Sequence, residues 1–213
     1  MRYGRRTCAA AAVLAATGLL GACSGSDDSS GSDEDAGQDS TSTRSDLALP
    51  DELGDLSRLE AQCALIGDSK DQCLDNADRI GQVVAASADN LSQAYGGAAS
   101  AGEVYATADL EQTVKVLAVA GSSPGLWSPD SDVQAEYTRL GHPQEWVEER
   151  DGAQCLAHTL TTVPEGETWS PDNVVTLRCQ ATADDLTVVF LPAPDTALDD
   201  ALAWTREALD SVE

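Results

Sequence analysis

Four cysteines, Cys63, Cys73, Cys155 and Cys179, constrain what this chain of 213 residues can fold into more than any other feature. Their meaning depends on the compartment, and the first residues set it. Arg2, Arg5 and Arg6 precede an apolar run from Ala9 to Ala22, the layout of a secretory signal. The run is too short to span a bilayer, which takes roughly 20 residues as a helix. In an exported chain an even number of thiols reads as two disulfides. A four-thiolate zinc site is the rival, but no C-x2-C spacing occurs. Three pairings are formally open, and the local elements described below favour Cys63–Cys73 and Cys155–Cys179. On a chain-entropy view the two loops would contribute roughly 3 and 3.5 kcal/mol.

The apolar run closes on Leu20-Gly21-Ala22-Cys23. This resembles the lipobox of bacterial lipoprotein precursors. The resemblance implies cleavage before Cys23, a diacylglycerol on its sulfur, and residence on the outer face of the cytoplasmic membrane. Two buried acyl chains, at roughly 0.8 kcal/mol per methylene, give stable anchoring. Few lysines against many alanines and arginines suggest a high-GC genome, and the layout is similar to exported lipoproteins of high-GC Gram-positive bacteria. Arg5-Arg6 hints at twin-arginine export, but Thr7 and Cys8 match that route poorly, so the export route stays open.

After Cys23 only nine basic residues face 37 acidic ones, a net charge of −28. Such a charge opposes nucleic acid and anionic headgroups, and no basic stripe is present for phosphate. Residues 24–50 are rich in Gly, Ser, Thr and Asp, with almost nothing apolar before Leu47, so they read as a disordered tether. Its mean reach would be roughly 25–30 Å. The chain thus divides into a signal (1–22), an acidic tether (23–50) and one domain (51–213).

Within the domain, Leu53, Leu56, Leu59, Cys63 and Ile66 recur at helical spacing until Gly67. Ser69 and Gln72 resemble a capping box opening a second helix, whose stripe is Cys73, Ala77, Ile80, Val84, Ala88, Leu91 and Tyr95. Cys63 and Cys73 then flank the turn of a helical hairpin. Thr107 or Asp109 would cap a third helix bearing Leu110, Val114 and Leu117, although the β-branched run from Val114 to Val119 also suits a strand. Ser128, Pro129 and Asp130 signal a fourth helix ending near Gly141. Residues 146–149, 154–163, 174–182 and 186–191 read as strands, with Cys155 roughly opposite Cys179 across a hairpin. Thr196 would start a last helix with Leu198, Leu202, Thr205, Leu209 and Val212 inward. The expected class is α+β: a helical hairpin and helices, then an antiparallel meander with a covering C-terminal helix.

Candidate chemistry is sparse. Gly121-Ser122-Ser123-Pro124-Gly125 fits the G-x-S-x-G pattern of hydrolase nucleophile elbows, with Ser123 attacking and His142 or His158 as base. Pro124, however, has no N–H to offer an oxyanion. Cys155 and His158, three apart on a strand, point to opposite faces. Two histidines and no H-E-x-x-H leave no transition-metal motif. Adjacent carboxylates such as Asp184-Asp185 and Asp199-Asp200 carry no diagnostic weight among so many acids. A short repeat, Trp127-Ser128-Pro129-Asp130 and Trp169-Ser170-Pro171-Asp172, suits helix starts and turns alike. Trp169, Trp204 and His158 remain as candidate contact residues for a ligand or partner. The preferred expectation is a lipid-anchored, non-catalytic binding, sensing or partner-docking domain. It would need no cofactor or metal and would contact the membrane through Cys23 and an unidentified protein or small molecule. The rival is an envelope hydrolase acting on peptide or glycan.

Overall fold

The computed structural model describes residues 47–128, 131–138, 140–170 and 176–212. Cys23, the signal and most of the tether lie outside the described residues, as do Pro129, Asp130, Pro171 and Asp172. The domain is α+β, built on an eight-stranded antiparallel sheet in the order β1-β2-β3-β4-β8-β7-β6-β5. The strands are β1 (Glu52–Leu53), β2 (Leu56–Arg58), β3 (Ser100–Ala106), β4 (Thr113–Ala120), β5 (Glu145–Arg150), β6 (Ala153–His158), β7 (Thr176–Ala183) and β8 (Leu186–Leu191). The helices are α1 (Leu59–Cys63), α2 (Lys70–Ala94), α3 (Ser131–Thr138) and α4 (Leu198–Ser211).

The meander runs from β5 to β8 with Cys155 directly opposite Cys179. Its last strand then pairs with β4, so both halves of the chain share one sheet. Period-two alternation sends Val114, Val116, Ala118, Val188 and Phe190 to one face, where α4 covers them with Leu202, Ala208 and Leu209. Leu117 and Val189 go to the other face, where Ala77, Val84 and Ala88 of α2 meet them. Two cores result, one on each side of the sheet. The C-terminal helix buries the stripe its spacing predicts, Leu202, Thr205, Leu209 and Val212. It starts at Leu198, however, and Thr196 does not cap it: that hydroxyl is buried without a hydrogen-bond partner among the described residues.

Three expected features are corrected. Leu53 and Leu56 belong to a tight hairpin rather than a helix. They oppose each other across Gly54-Asp55, so a spacing of three places both in the core without any helical turn. Gly54 takes φ +59°, and Glu207 of α4 accepts its N–H at 2.8 Å. The segment bearing Val114 and Leu117 is strand β4, because it lies in mid-sheet with both faces covered and, apart from the exposed Lys115, is apolar from Val114 to Ala120. Thr107 and Asp109 shape the β3–β4 turn instead. Ser69 does precede α2, but its side chain makes no capping hydrogen bond.

Strand β3 has little sequence signal, being mostly Ser, Ala and Gly, and Gly102 explains part of that. A Cβ there would stand 2.8 Å from Val84 Cγ1 and 3.0 Å from the Val84 carbonyl oxygen. Helix α2 can sit this close only because the strand offers no side chain. Gly102→Ala should push the helix off the sheet and cost about 1–3 kcal/mol in a denaturant melt, as overpacking does. An unchanged melt would show that the contact can relax.

Leu47 and Leu49, ahead of β1, already pack against the α4-side core. Arg58 holds that strap, donating to the Leu49 carbonyl at 2.7 Å and facing Asp51 and Glu103 at 3.3 and 3.4 Å. The Tyr105 hydroxyl donates to the Pro50 carbonyl at 2.6 Å. Burial pushes the Tyr105 phenol well above the ordinary tyrosine range, so it remains a donor in alkaline solution. At the far edge, β5 carries Glu145, Glu148, Glu149 and Arg150, charges that discourage another strand from pairing there.

Candidate functional site

The polar recess of greatest interest lies where α1 turns into α2. Cys63 is fully buried at the end of α1 and Cys73 is half-buried in the first turns of α2; the two are joined as a disulfide with Cα atoms 5.4 Å apart. The closed loop holds the α2 N-terminal turns beside Ile66 and leaves a cleft of about 450 Å³. Ser69, Gln72, Asn76 and Arg79 follow one another at helical spacing along its wall, with Asp75 beside Asn76. Arg58, Arg150 and Arg206 each have a carboxylate partner, whereas Arg79, like Arg178 on β7, has none among the described residues. The cleft therefore offers a cation, an anion and two amides, none of them held by another side chain among the described residues.

A second recess, about 280 Å³, lies between the β3–β4 turn and α4, lined by Asp55, Asp109, Glu111, Asp200 and Trp204. The Asp109 carboxylate accepts from the Thr107 hydroxyl at 2.6 Å and the Glu111 amide at 3.0 Å, and these bonds hold it below the usual carboxylate range. Among the described residues no group of His, Cys, Asp and Glu is arranged to hold a metal ion. Trp204 is half-buried, tilted against Phe190 at 6.1 Å and close over Gly54, so much of its ring covers the core edge.

The other residues singled out from the sequence are dispersed. Trp169 lies in the loop after β6, where the His142 imidazole stacks on it at 4.3 Å and Trp146 meets both rings edge-on. His142 Nδ1 is 2.8 Å from the Pro143 carbonyl, which can only accept, so Nδ1 carries a proton. Trp169 Nε1 is buried without a partner among the described residues. His158 ends β6 opposite Glu145 and Thr176, on the face away from Cys155. The Ser123 hydroxyl lies near the Pro124 carbonyl and Gln180 Oε1, at 3.2 and 3.5 Å, rather than against an imidazole. Its segment crosses the sheet face over β6 and β7: Gln180 donates to the Pro124 carbonyl and Gln154 accepts the Leu126 N–H. Cys155 is consumed in the disulfide with Cys179.

Sequence reasoning gave Arg79 and Asn76 no role and assigned Gln72 only to a helix cap. The available signal is their spacing on one face of α2 next to a cysteine, a pattern that any solvated helix face also shows. Fold and cleft together define an α+β domain stapled by two disulfides, with a small polar recess at one staple. Compared with known proteins, the chain matches no family model, no curated protein and no solved structure.

Proposed function

We propose that this chain is an exported lipoprotein, anchored by diacylglycerol on Cys23, whose acidic tether carries a non-catalytic binding or partner-docking domain outside the cytoplasmic membrane. The observation that carries the reading is the closure of both cysteine pairs, Cys63–Cys73 and Cys155–Cys179. Such bonds persist in oxidising compartments and are rare in the cytosol. Among the described residues no helix is long and apolar enough to cross a membrane. The reading includes a helical hairpin, with α1 and α2 as arms held at their turn by the first disulfide. The uncommitted polar groups in the cleft favour recognition over catalysis, since they could bind and orient a ligand but supply no activated nucleophile.

Cell fractionation and intact mass test the anchor. Wild-type protein should sit in the membrane fraction at the mass of a diacylated chain beginning at Cys23, and Cys23→Ala should reach the medium or stay unprocessed. A membrane-bound Cys23→Ala protein of wild-type mass would end the lipoprotein reading.

A further inference from the structure

We propose that the cleft beside the Cys63–Cys73 disulfide binds a short zwitterionic peptide, with Arg79 receiving its carboxylate and Asp75 its ammonium. The proposal rests on reading this domain as a binding module and names what the module takes. Asp75 and Arg79 are one helical turn apart, the spacing at which opposite charges usually pair, with Cβ atoms roughly 5–6 Å apart. At the same spacing Arg206 and Asp210 close to 2.7 Å, yet no ion pair joins Asp75 to Arg79. Both charged groups instead line the open cleft.

The rest of the wall suits a peptide laid along the helix. An extended dipeptide, at roughly 3.3–3.6 Å per residue, spaces its end charges by about the Asp75–Arg79 interval. The Asn76 amide, next to both, can donate to and accept from the peptide group between them. Gln72 and Ser69 continue the polar line toward the helix start, and Ile66 offers an apolar wall for a side chain. A volume of about 450 Å³ exceeds what one amino acid fills and falls within the range of small-ligand sites. Charge selects against a bare anion: Asp68, Asp71, Asp75 and Asp78 outnumber Lys70 and Arg79 along this stretch. A ligand with a carboxylate for Arg79 must therefore bring its own cation.

Glycyl-leucine is the probe, added to the full mature chain, with backbone amides followed by NMR. Saturable shifts should be confined to residues 66–79, with a dissociation constant on the order of 1 mM for so open a site. Arg79→Gln and Asp75→Asn should each weaken binding about tenfold, the loss of one charge-assisted contact. Both positions are exposed, so the melting temperature should not move. Glycyl-leucinamide and N-acetylglycyl-leucine, each lacking one charge, should also bind about tenfold more weakly. The assignment is overturned if these residues show no saturable shift, if either capped peptide binds as well as glycyl-leucine, or if the variants bind like wild type. Any of those results with Cys23 lipidated would remove the peptide assignment and leave the lipoprotein reading standing.

Discussion

Replacing Cys155 and Cys179 together by alanine should lower unfolding free energy by roughly 3.5 kcal/mol from loop closure alone. The two positions face each other on β6 and β7, and both are fully buried under α4. Losing the bond therefore also loosens packing between sheet and helix. Against a total stability of about 5–15 kcal/mol for a domain, the double variant should unfold at a much lower urea midpoint. The Cys63→Ala, Cys73→Ala pair closes a shorter loop and should cost roughly 3 kcal/mol. Its effect should concentrate where α1 meets α2, because Cys73 is half-buried at the cleft rather than in mid-sheet. Hydrogen exchange would separate the two cases: faster exchange across β6 and β7 in the first, and at the start of α2 in the second. A loss below about 1 kcal/mol for the Cys155 pair would show that the sheet holds this register unaided.

Phe190→Ala should cost about 3–5 kcal/mol, the range for emptying a buried aromatic site. Phe190 is the sole phenylalanine of the chain, fully buried in β8 between Val116 of β4 and Cys179 of β7. Its ring also meets Trp204 at 6.1 Å, so the loss reaches α4 as well. Phe190→Leu keeps most of the volume and should cost less than about 1.5 kcal/mol. Urea melts of both variants check the contrast. Equal melts would mean that the core collapses around the missing ring and that the strand pairing dominates stability there.

The cleft illustrates why a recess can be hidden in plain sequence. Gln72, Asn76 and Arg79 stand at positions any solvated helix fills with polar residues. What distinguishes them is that the Cys63–Cys73 loop sets Ile66 beside the same helix face and that Asp75 does not close on Arg79. Neither fact is a property of spacing. Conversely, Trp169 and His142, far apart in sequence, are stacked on each other.

Sequence by itself determined the local elements with strong periodicity. These are the long α2 stripe, the strands of the meander with Cys155 opposite Cys179, and the buried face of α4. Burial of a repeating apolar face is a local pattern that one stretch of chain carries alone. Only the tertiary structure decided that β8 pairs with β4, making one sheet of two halves, and that the Val114–Val119 run is a strand. Only it showed that Leu53 and Leu56 meet across a turn and that α2 rests on Gly102. Such outcomes depend on partners distant in sequence, and a short apolar run satisfies helix and strand equally until a neighbour claims its hydrogen bonds.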